Sequence, residues 1–234
     1  MNPEQSYAAA RALHERRVRE GWRPVGRKIG FTNRGIWARY GVHEPIWGTV
    51  YDRTLIRASD NVAVVPLEGL EQPRIEPEIC FRLRAPPRST HPGDLTAAIE
   101  WMAHSIEIVQ CDQPGWKTSL AHSTACNGLH GRLVVGSPVA LGEAREALSR
   151  FELVLRKGGV EVERGRGDIV LGSPLAALGY LVALLARQPE SPPLAAGEII
   201  STGTLTDAYA VCAGENWSTE IRGLPVAGLT VRFS

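Results

Sequence analysis

The chain has 234 residues, of which 44% are hydrophobic and 22% are charged, and its formal net charge at pH 7 is +1. This composition suits a globular protein with a large core and excludes a disordered or fibrous chain. The balanced charge argues against binding of nucleic acid or an anionic membrane by bulk electrostatics. No apolar run approaches the roughly 18 to 20 residues that a membrane span needs.

Helical spacing of apolar residues predicts one helix over residues 4–21, ended by Gly21. We expect residues 1–23 to form a helical arm that packs on the body or on a neighbouring subunit. From residue 24 onward, short β-rich runs alternate with Gly and Pro, which predicts an α+β protein with one β-rich domain over residues 24–234. The predicted strands span residues 25–32, 46–51, 62–66, 75–83, 106–109, 133–135, 151–157, 160–164, 198–201 and 229–233. The predicted helices span residues 35–40, 94–104 and 174–187, the last with Ser173 as N-cap and Pro174 in its first turn.

The first residues lack the basic region and apolar stretch of a secretory signal. The four cysteines lie far apart and form no CxxC pair. Both features predict a cytoplasmic protein with reduced thiols and argue against a disulfide framework or a zinc knuckle.

Two glutamates on one predicted strand are the first chemical signal. Strand alternation places Glu76 and Glu78 on the same face, roughly 7 Å apart at Cα, while the apolar residues of the strand face the other way. Carboxylates this close repel each other unless something neutralises them, and Mg²⁺ or Mn²⁺ prefers such oxygen ligands. Pro77 removes a ladder donor, so we expect an irregular or edge position there. Taken alone, this motif also fits a solvated strand face.

Glu107 and Lys28 are the next candidates. Glu107 stands between isoleucines on a predicted strand, where a carboxylate must be exposed, paired or bound to metal. Lys28 shares its strand face with glycines, which leave space for a ligand beside the ammonium group. Such a lysine can stabilise an enolate, or act as a base if its pKa is depressed. The alternatives are an exposed strand glutamate and an ordinary surface lysine.

Taken in order and spacing, these segments resemble the 2-keto-4-pentenoate hydratase and 4-oxalocrotonate decarboxylase group of the fumarylacetoacetate hydrolase superfamily. The resemblance runs from about residue 10 to residue 233. Its landmarks are GRKIGFT at 26–32, GVHEP at 41–45, GT at 48–49, QPRIEPE at 72–78, IEIV at 106–109, WK at 116–117, NG at 127–128, GSPL at 172–175, LAAGEII at 194–200, TGT at 202–204 and GLTVRF at 228–233.

The resemblance implies a β-rich mixed-sheet roll, assembled as a homo-oligomer, with Mg²⁺ or Mn²⁺ bound in its pocket. By position in the sequence, the implied metal ligands are Glu76, Glu78 and Glu107, and the lysine that lines the pocket is Lys28. The implied turn beside the substrate carboxylate consists of Thr202, Gly203 and Thr204. Asp52 is a looser match to an acidic position on a loop over the pocket.

The implied activity is that of a metal-dependent lyase of aromatic catabolism that acts on a small unsaturated 2-oxo acid. In the hydratase reaction, water adds to the distal double bond through a metal-stabilised dienolate. The alternatives are a 2-oxo-3-hexenedioate (4-oxalocrotonate) decarboxylase, an acylpyruvate-type C–C hydrolase, and a non-catalytic binding or partner subunit.

Departures from the family pattern fall in the distal half of the implied pocket. The run VQCDQ at 109–113 replaces a serine–arginine pair found in many relatives, and Cys126 replaces the aspartate of an Ala-Asp-Asn triplet. Ile46 follows Pro45 where many relatives have an aspartate, and His122 occupies an acidic position. The metal half of the site therefore looks intact, while the distal half is rewritten.

We predict that His122 replaces the distal carboxylate as an acid or base. We also expect Lys117 to pair with the substrate tail beside Trp116. The alternatives are a polar loop that hydrogen-bonds locally and a tryptophan used for core packing.

Overall fold

Two β-sheets and five α-helices make up the part of the chain that the computed structural model describes, residues 2–234 apart from the side chains of Ile36, Arg39 and Tyr40. The strands are β1 Pro24–Gly30, β2 Ile46–Tyr51, β3 Leu55–Arg57, β4 Val62–Val65, β5 Arg74–Leu83, β6 Ile99–Val109, β7 His130–Val135, β8 Glu152–Lys157, β9 Val160–Arg166, β10 Ile199–Ser201, β11 Tyr209–Ala210, β12 Asn216–Arg222 and β13 Thr230–Phe233. The α-helices are α1 Pro3–Arg19, α2 Trp37–Tyr40, α3 Pro92–Ala98, α4 Leu120–Ala125 and α5 Pro174–Ala186.

Both sheets mix parallel and antiparallel pairs. The larger sheet has the order β2-β1-β10-β5-β6-β7-β3, with β11 also paired to β5, and the smaller has the order β4-β13-β12-β8-β9. The β1–β10, β3–β7 and β4–β13 pairs are parallel, and the other pairs are antiparallel. The predicted α+β fold with mixed sheets is confirmed.

Strand β5 shows how alternation separates the core from the site. Ile75, Ile79 and Phe81 belong to the main apolar core, together with residues of the smaller sheet such as Trp217 of β12. The even-numbered residues of β5 point to the opposite face. One strand therefore supplies both core packing and a row of polar side chains behind it.

Buried His104 of β6 connects the two sheets. Its Nδ1 donates to the carbonyl of Glu78 at 2.7 Å, and its Nε2 lies 2.7 Å from the hydroxyl of Thr219 on β12. Burial lowers the pKa of His104 to about 4. A neutral imidazole can therefore fix the backbone of β5 relative to the smaller sheet.

The predicted helix over residues 94–104 is wrong in its second half. Helix α3 ends at Ala98, and β6 begins at Ile99. Strand β6 is buried on both faces along most of its length, and periodicity alone cannot distinguish such an apolar run from a buried helix. The predicted N-cap of α5 is confirmed, because the Ser173 hydroxyl accepts from the Ala176 N–H at 3.0 Å.

Pro77 is irregularly placed but does not lie on an edge strand. Strand β5 lies between β6 and the β10 and β11 pairs. The carbonyl of Pro77 accepts from the Leu205 N–H at 2.9 Å, so its missing N–H faces the gap between β10 and β11. The proline therefore removes no regular hydrogen bond of the sheet at this position.

Helix α1 packs on the larger sheet and on α4. Its N-terminus is closed by a capping box between Asn2 and Gln5. Tyr7 stacks on Trp47 with ring centroids 5.8 Å apart, and His14 Nδ1 lies 2.9 Å from the Tyr51 hydroxyl. Across residues 2–234, no helix combines the length and apolar character needed to cross a bilayer.

Candidate active site

Three glutamates converge on two neighbouring strands of the larger sheet. Glu76 and Glu78 share a face of β5, and Glu107 of β6 stands opposite Glu76 in the antiparallel register. One carboxylate oxygen from each lies within 4.8 Å of the others. Glu78 and Glu107 are fully buried, and Glu76 is half-buried. The sheet register thus brings together the three predicted metal ligands.

The turn after β10 holds Glu78 in place. Glu78 Oε2 accepts hydrogen bonds from the Ser201 hydroxyl at 2.6 Å and from the Gly203 N–H at 2.8 Å. Gly203 has φ +107°, and a Cβ there would lie 1.9 Å from Thr32 Oγ1. The Thr202 hydroxyl donates to the backbone of β5 at 2.7 Å. Only glycine allows the turn to bring its N–H this close to the carboxylate.

The buried ammonium group of Lys28 and the buried ring of His130 flank Glu107. Lys28 Nζ lies 3.1 Å from Glu107 Oε2 and donates to the Gly128 carbonyl at 2.8 Å. His130 Nδ1 donates to Glu107 Oε1 at 2.7 Å, and its Nε2 lies 2.8 Å from the Thr54 hydroxyl. Burial lowers the pKa of His130, which favours the neutral ring. Glu107 is thus oriented from both sides.

The charges of this cluster do not balance within the protein. Burial raises the pKa of Glu76 to about 7, and it raises that of Glu78 well above its usual range. Burial also raises the pKa of Glu107, but Lys28 and His130 outweigh it and hold the value below normal. Burial lowers the pKa of Lys28, whereas the carboxylates, Glu107 foremost, bring it above its ordinary value. Three carboxylates and one ammonium leave two negative charges for protons or a cation to neutralise.

A divalent cation fits this arrangement. Glu78 Oε1 is buried, and within residues 2–234 no group donates a hydrogen bond to it. An unpartnered carboxylate oxygen is costly in the interior, and coordination would satisfy it. The donor set contains only carboxylate oxygens, which is typical of Mg²⁺ or Mn²⁺ sites. The cation's charge also equals the two uncompensated negative charges.

A cavity of about 230 Å³ opens beside the carboxylates. Its lining includes Lys28 and Glu76, Thr204 from the turn after β10, and Arg74 with Trp116. The Arg74 guanidinium carbon lies 4.3 Å from the centre of the Trp116 ring, a cation–π contact. Arg74 Nε is buried and has no hydrogen-bond partner in the described part of the chain. The cavity therefore has a second positive group with an unused donor.

Of the ten predicted site residues, three line this cavity, namely Lys28, Glu76 and Thr204. Glu78 and Glu107 belong to the glutamate cluster, and Thr202 and Gly203 belong to the turn that holds it. The other three predicted residues, Lys117, Asp52 and His122, lie outside this group. Lys117 is exposed. Asp52 accepts from the backbone N–H and Nε of Arg23, at 3.0 and 2.9 Å. His122 Nε2 lies 2.6 Å from Asp112 Oδ1. The cavity therefore borders the glutamate cluster through Glu76 and Lys28, and these three side chains contribute to neither the lining nor the cluster.

Sequence reasoning gave no role to Arg74, Ser201 or His130. Arg74 had a signal, because it precedes Glu76 by two residues on one strand and so shares its face. Ser201 ends a predicted strand directly before the TGT motif, which is a weaker signal. His130 had none, since only the β6–β7 pairing and the turn before β7 bring it to Glu107.

A larger cavity of about 670 Å³ lies between α1, strands β1 and β2, and residues 190–198. Its wall includes Arg27, which forms an ion pair with Glu198 at 3.2 Å and lies over the Trp47 ring. None of the three clustered glutamates lines it. Size alone does not identify the reactive cavity, and the carboxylate chemistry belongs to the smaller one.

Together the fold and site define a protein of two mixed β-sheets with a cavity beside a cluster of three glutamates. The family description "Fumarylacetoacetate (FAA) hydrolase C-terminal" matches residues 42–232. The chain belongs to the fumarylacetoacetate hydrolase family, as the motifs predicted.

Named relatives match nearly the whole chain. A 4-oxalocrotonate decarboxylase from Pseudomonas putida is 32% identical over 99% of this chain and 87% of its own length. A 2-keto-4-pentenoate hydratase from Paraburkholderia xenovorans is 31% identical over 96% of this chain and 82% of its own length. The solved 4-oxalocrotonate decarboxylase from Pseudomonas putida G7, complexed with magnesium and adipate, has a TM-score of 0.91 and 30% identity, covering 100% of this chain and 87% of that one. The predicted resemblance to the hydratase and decarboxylase group is confirmed.

Proposed function

We propose that this protein is a Mg²⁺- or Mn²⁺-dependent lyase that acts on a small unsaturated 2-oxo acid, with addition of water to the distal double bond as the leading reaction. The observation that carries the proposal is the convergence of Glu76, Glu78 and Glu107 beside charged Lys28, at a cavity of about 230 Å³. Relatives named as hydratases and decarboxylases, and a solved relative that contains magnesium, support it.

The chain's own residues would hold and polarise the substrate. Glu76, Glu78 and Glu107 would hold the cation, which when bound supplies a Lewis acid for the 2-oxo acid carbonyl. Lys28 places a fixed positive charge where negative charge develops on the substrate oxygen. Thr204 of the 202–204 turn lies on the cavity wall, where it can contact the substrate carboxylate.

One observation favours decarboxylation as the second candidate. Arg74 lines the cavity with an unused, buried Nε donor, and a guanidinium group is well suited to bind a carboxylate. A six-carbon dicarboxylic 2-oxo acid could place its distal carboxylate there, whereas a five-carbon monoacid would leave the group unused. The carboxylate cluster serves both reactions.

Side-by-side assays test the proposal. With Mg²⁺ present, the protein should consume 2-hydroxypenta-2,4-dienoate, seen as loss of diene absorbance, and chelation should stop the reaction. Release of carbon dioxide from 2-oxo-3-hexenedioate at a higher kcat/KM would favour the decarboxylase instead. An acylpyruvate serves as the third substrate. Absence of turnover with all three, despite bound metal, would contradict an enzymatic role and favour a partner subunit.

The cellular location, the assembly and the N-terminal arm are part of the same proposal. We infer a cytoplasmic homo-oligomer in which residues 1–23 act as an arm on the catalytic body. The four free cysteines are consistent with a reducing compartment. Light scattering on the full chain, compared with a chain lacking residues 1–23, would test the arm and the assembly.

A further inference from the structure

A second group of metal-ligating side chains lies outside the three-glutamate cavity. Asp112 lies in the loop after β6, His122 lies on α4, and Cys126 is the C-cap of that helix. His122 Nε2 is 2.6 Å from Asp112 Oδ1 and 3.4 Å from Cys126 Sγ. Ligand atoms of all three lie within 4.8 Å of one another.

The contacts of this group differ from those of a catalytic triad. A triad uses both ring nitrogens, one for the nucleophile and one for the carboxylate. Here a single nitrogen, His122 Nε2, faces both the carboxylate of Asp112 and the sulfur of Cys126. One N–H cannot satisfy both contacts well. A metal ion in the middle would bind all three atoms at once.

One of the ligand separations already matches tetrahedral coordination. Ligand distances of about 2.0 Å for nitrogen and about 2.3 Å for sulfur imply an N···S separation of roughly 3.5 Å, and the observed value is 3.4 Å. The shorter contact between His122 and Asp112 would lengthen by about 0.6 Å. Asp112 is exposed, with half of its side-chain surface accessible, and lies in a loop, so the adjustment is small.

We propose that Asp112, His122 and Cys126 form a second metal site, selective for Zn²⁺ over Mg²⁺. A thiolate and an imidazole are soft or borderline ligands that favour zinc, whereas Mg²⁺ requires oxygen ligands. Three protein ligands leave the fourth position to water. The accessible side chains of Asp112 and His122 let an ion enter from solvent.

The position of the site gives bound zinc a structural consequence. Asp112 and His122 enclose the segment that carries Trp116 and Thr118, both of which line the three-glutamate cavity. Coordination would tie Asp112, at the start of this segment, to His122 on α4 and to Cys126 at its C-cap. Zinc at the second site would therefore fix one wall of the cavity without contacting the substrate.

Cobalt spectroscopy tests this site separately from activity. The protein is first saturated with Mg²⁺, which occupies the glutamate cluster, and is then titrated with Co²⁺. Thiolate coordination gives a near-ultraviolet charge-transfer band, which oxygen ligands alone do not produce. We expect one equivalent of Co²⁺ to generate the band and Zn²⁺ to abolish it. No band in the unmodified protein would overturn the proposal.

Matched variants decide which residues bind. Cys126→Ser should remove the band, whereas Cys212→Ser, at an exposed cysteine, should leave it unchanged. Asp112→Asn changes an exposed side chain and should keep the fold, and we expect it to weaken Co²⁺ binding at least tenfold while the band remains. A band that persists in Cys126→Ser, or an unchanged affinity in Asp112→Asn, would contradict the three-ligand site.

Discussion

The glutamate cluster and the wall segment at residues 110–126 are built in opposite ways. The cluster lies on strands β1, β5 and β6, and Lys28, Glu78 and Glu107 are at most 3% exposed. The wall consists of loops and short helices, and Asp112 and His122 retain 50% and 30% of their side-chain surface. Chemistry common to many substrates can be placed on rigid strands, while selectivity can vary on loops.

This difference is also energetic. In the cluster, each buried charge needs a partner, because an unpaired charge in the interior is strongly destabilising. In the wall, exposed ion pairs contribute little to stability, so residues there can change at small cost. We expect substitutions in the cluster to damage catalysis on every substrate, and substitutions of cavity-lining residues outside the cluster to alter selectivity.

The largest expected effect is at Glu107. Glu107→Gln removes a proposed ligand and the countercharge of Lys28, so we expect kcat/KM to fall about 10³-fold on every substrate, the equivalent of several kcal/mol of transition-state stabilisation. Steady-state kinetics at saturating Mg²⁺ measures it. Glu100→Gln is the matched control, because Glu100 is on the same strand but forms a surface pair with Arg82. Equal losses in both variants would refute the assignment.

The next largest effect separates two basic residues outside the cluster, Arg74 on β5 and Lys117 in the wall segment. Arg74→Leu should raise KM for a dicarboxylic 2-oxo acid about 10- to 100-fold, because a charged hydrogen bond contributes about 1.5–3 kcal/mol, and should change KM for a monocarboxylic acid little. Lys117→Leu alters an exposed lysine outside the cavity lining and should leave both values near normal. The reverse pattern would assign the substrate tail to Lys117.

A smaller effect is expected at the turn that holds Glu78. Gly203→Ala forces a Cβ to within 1.9 Å of Thr32 Oγ1 at a positive φ. We expect it to lower the free energy of unfolding by about 1–3 kcal/mol and to weaken Mn²⁺ binding by displacing the N–H from Glu78. Gly214→Ala is the control, because its φ is +86° but nothing lies within 4 Å. Chemical denaturation should show the smaller loss at Gly214.

The smallest effect is a pH dependence of metal affinity. The pKa of Glu76 is raised to about 7, so below that pH a proton competes with the cation in the metal-free protein. The pKa of Glu78, another proposed ligand, is also raised, so Mn²⁺ affinity should rise with pH through about 7 and continue to rise above it. Calorimetric titrations from pH 5.5 to 8.5 measure it, and an affinity that falls as pH rises over this range would contradict the account.

Site residues on local strand patterns could be predicted from the sequence, whereas those that depend on long-range strand pairing could not. Glu76, Glu78 and Lys28 could be assigned to a pocket because strand alternation is local and the family motifs cover them. The same alternation rule could have placed Arg74 on the face of β5 that carries Glu76. The partnership of His130 with Glu107 depends on strand pairing and on backbone turns that have no local signature. The half-wrong helix at 94–104 has a similar cause, since a strand buried on both faces loses its period-2 pattern.

The central claim is that Glu76, Glu78 and Glu107 together hold one divalent cation that contacts a 2-oxo acid. A crystal structure of the protein with Mn²⁺ and oxalate, a mimic of the chelating end of such an acid, tests it directly through anomalous scattering. The account predicts one manganese peak bonded to an oxygen of each glutamate and to oxalate, with Lys28 beside the ligand. Manganese bound elsewhere, or oxalate bound without contact to the metal, would contradict it.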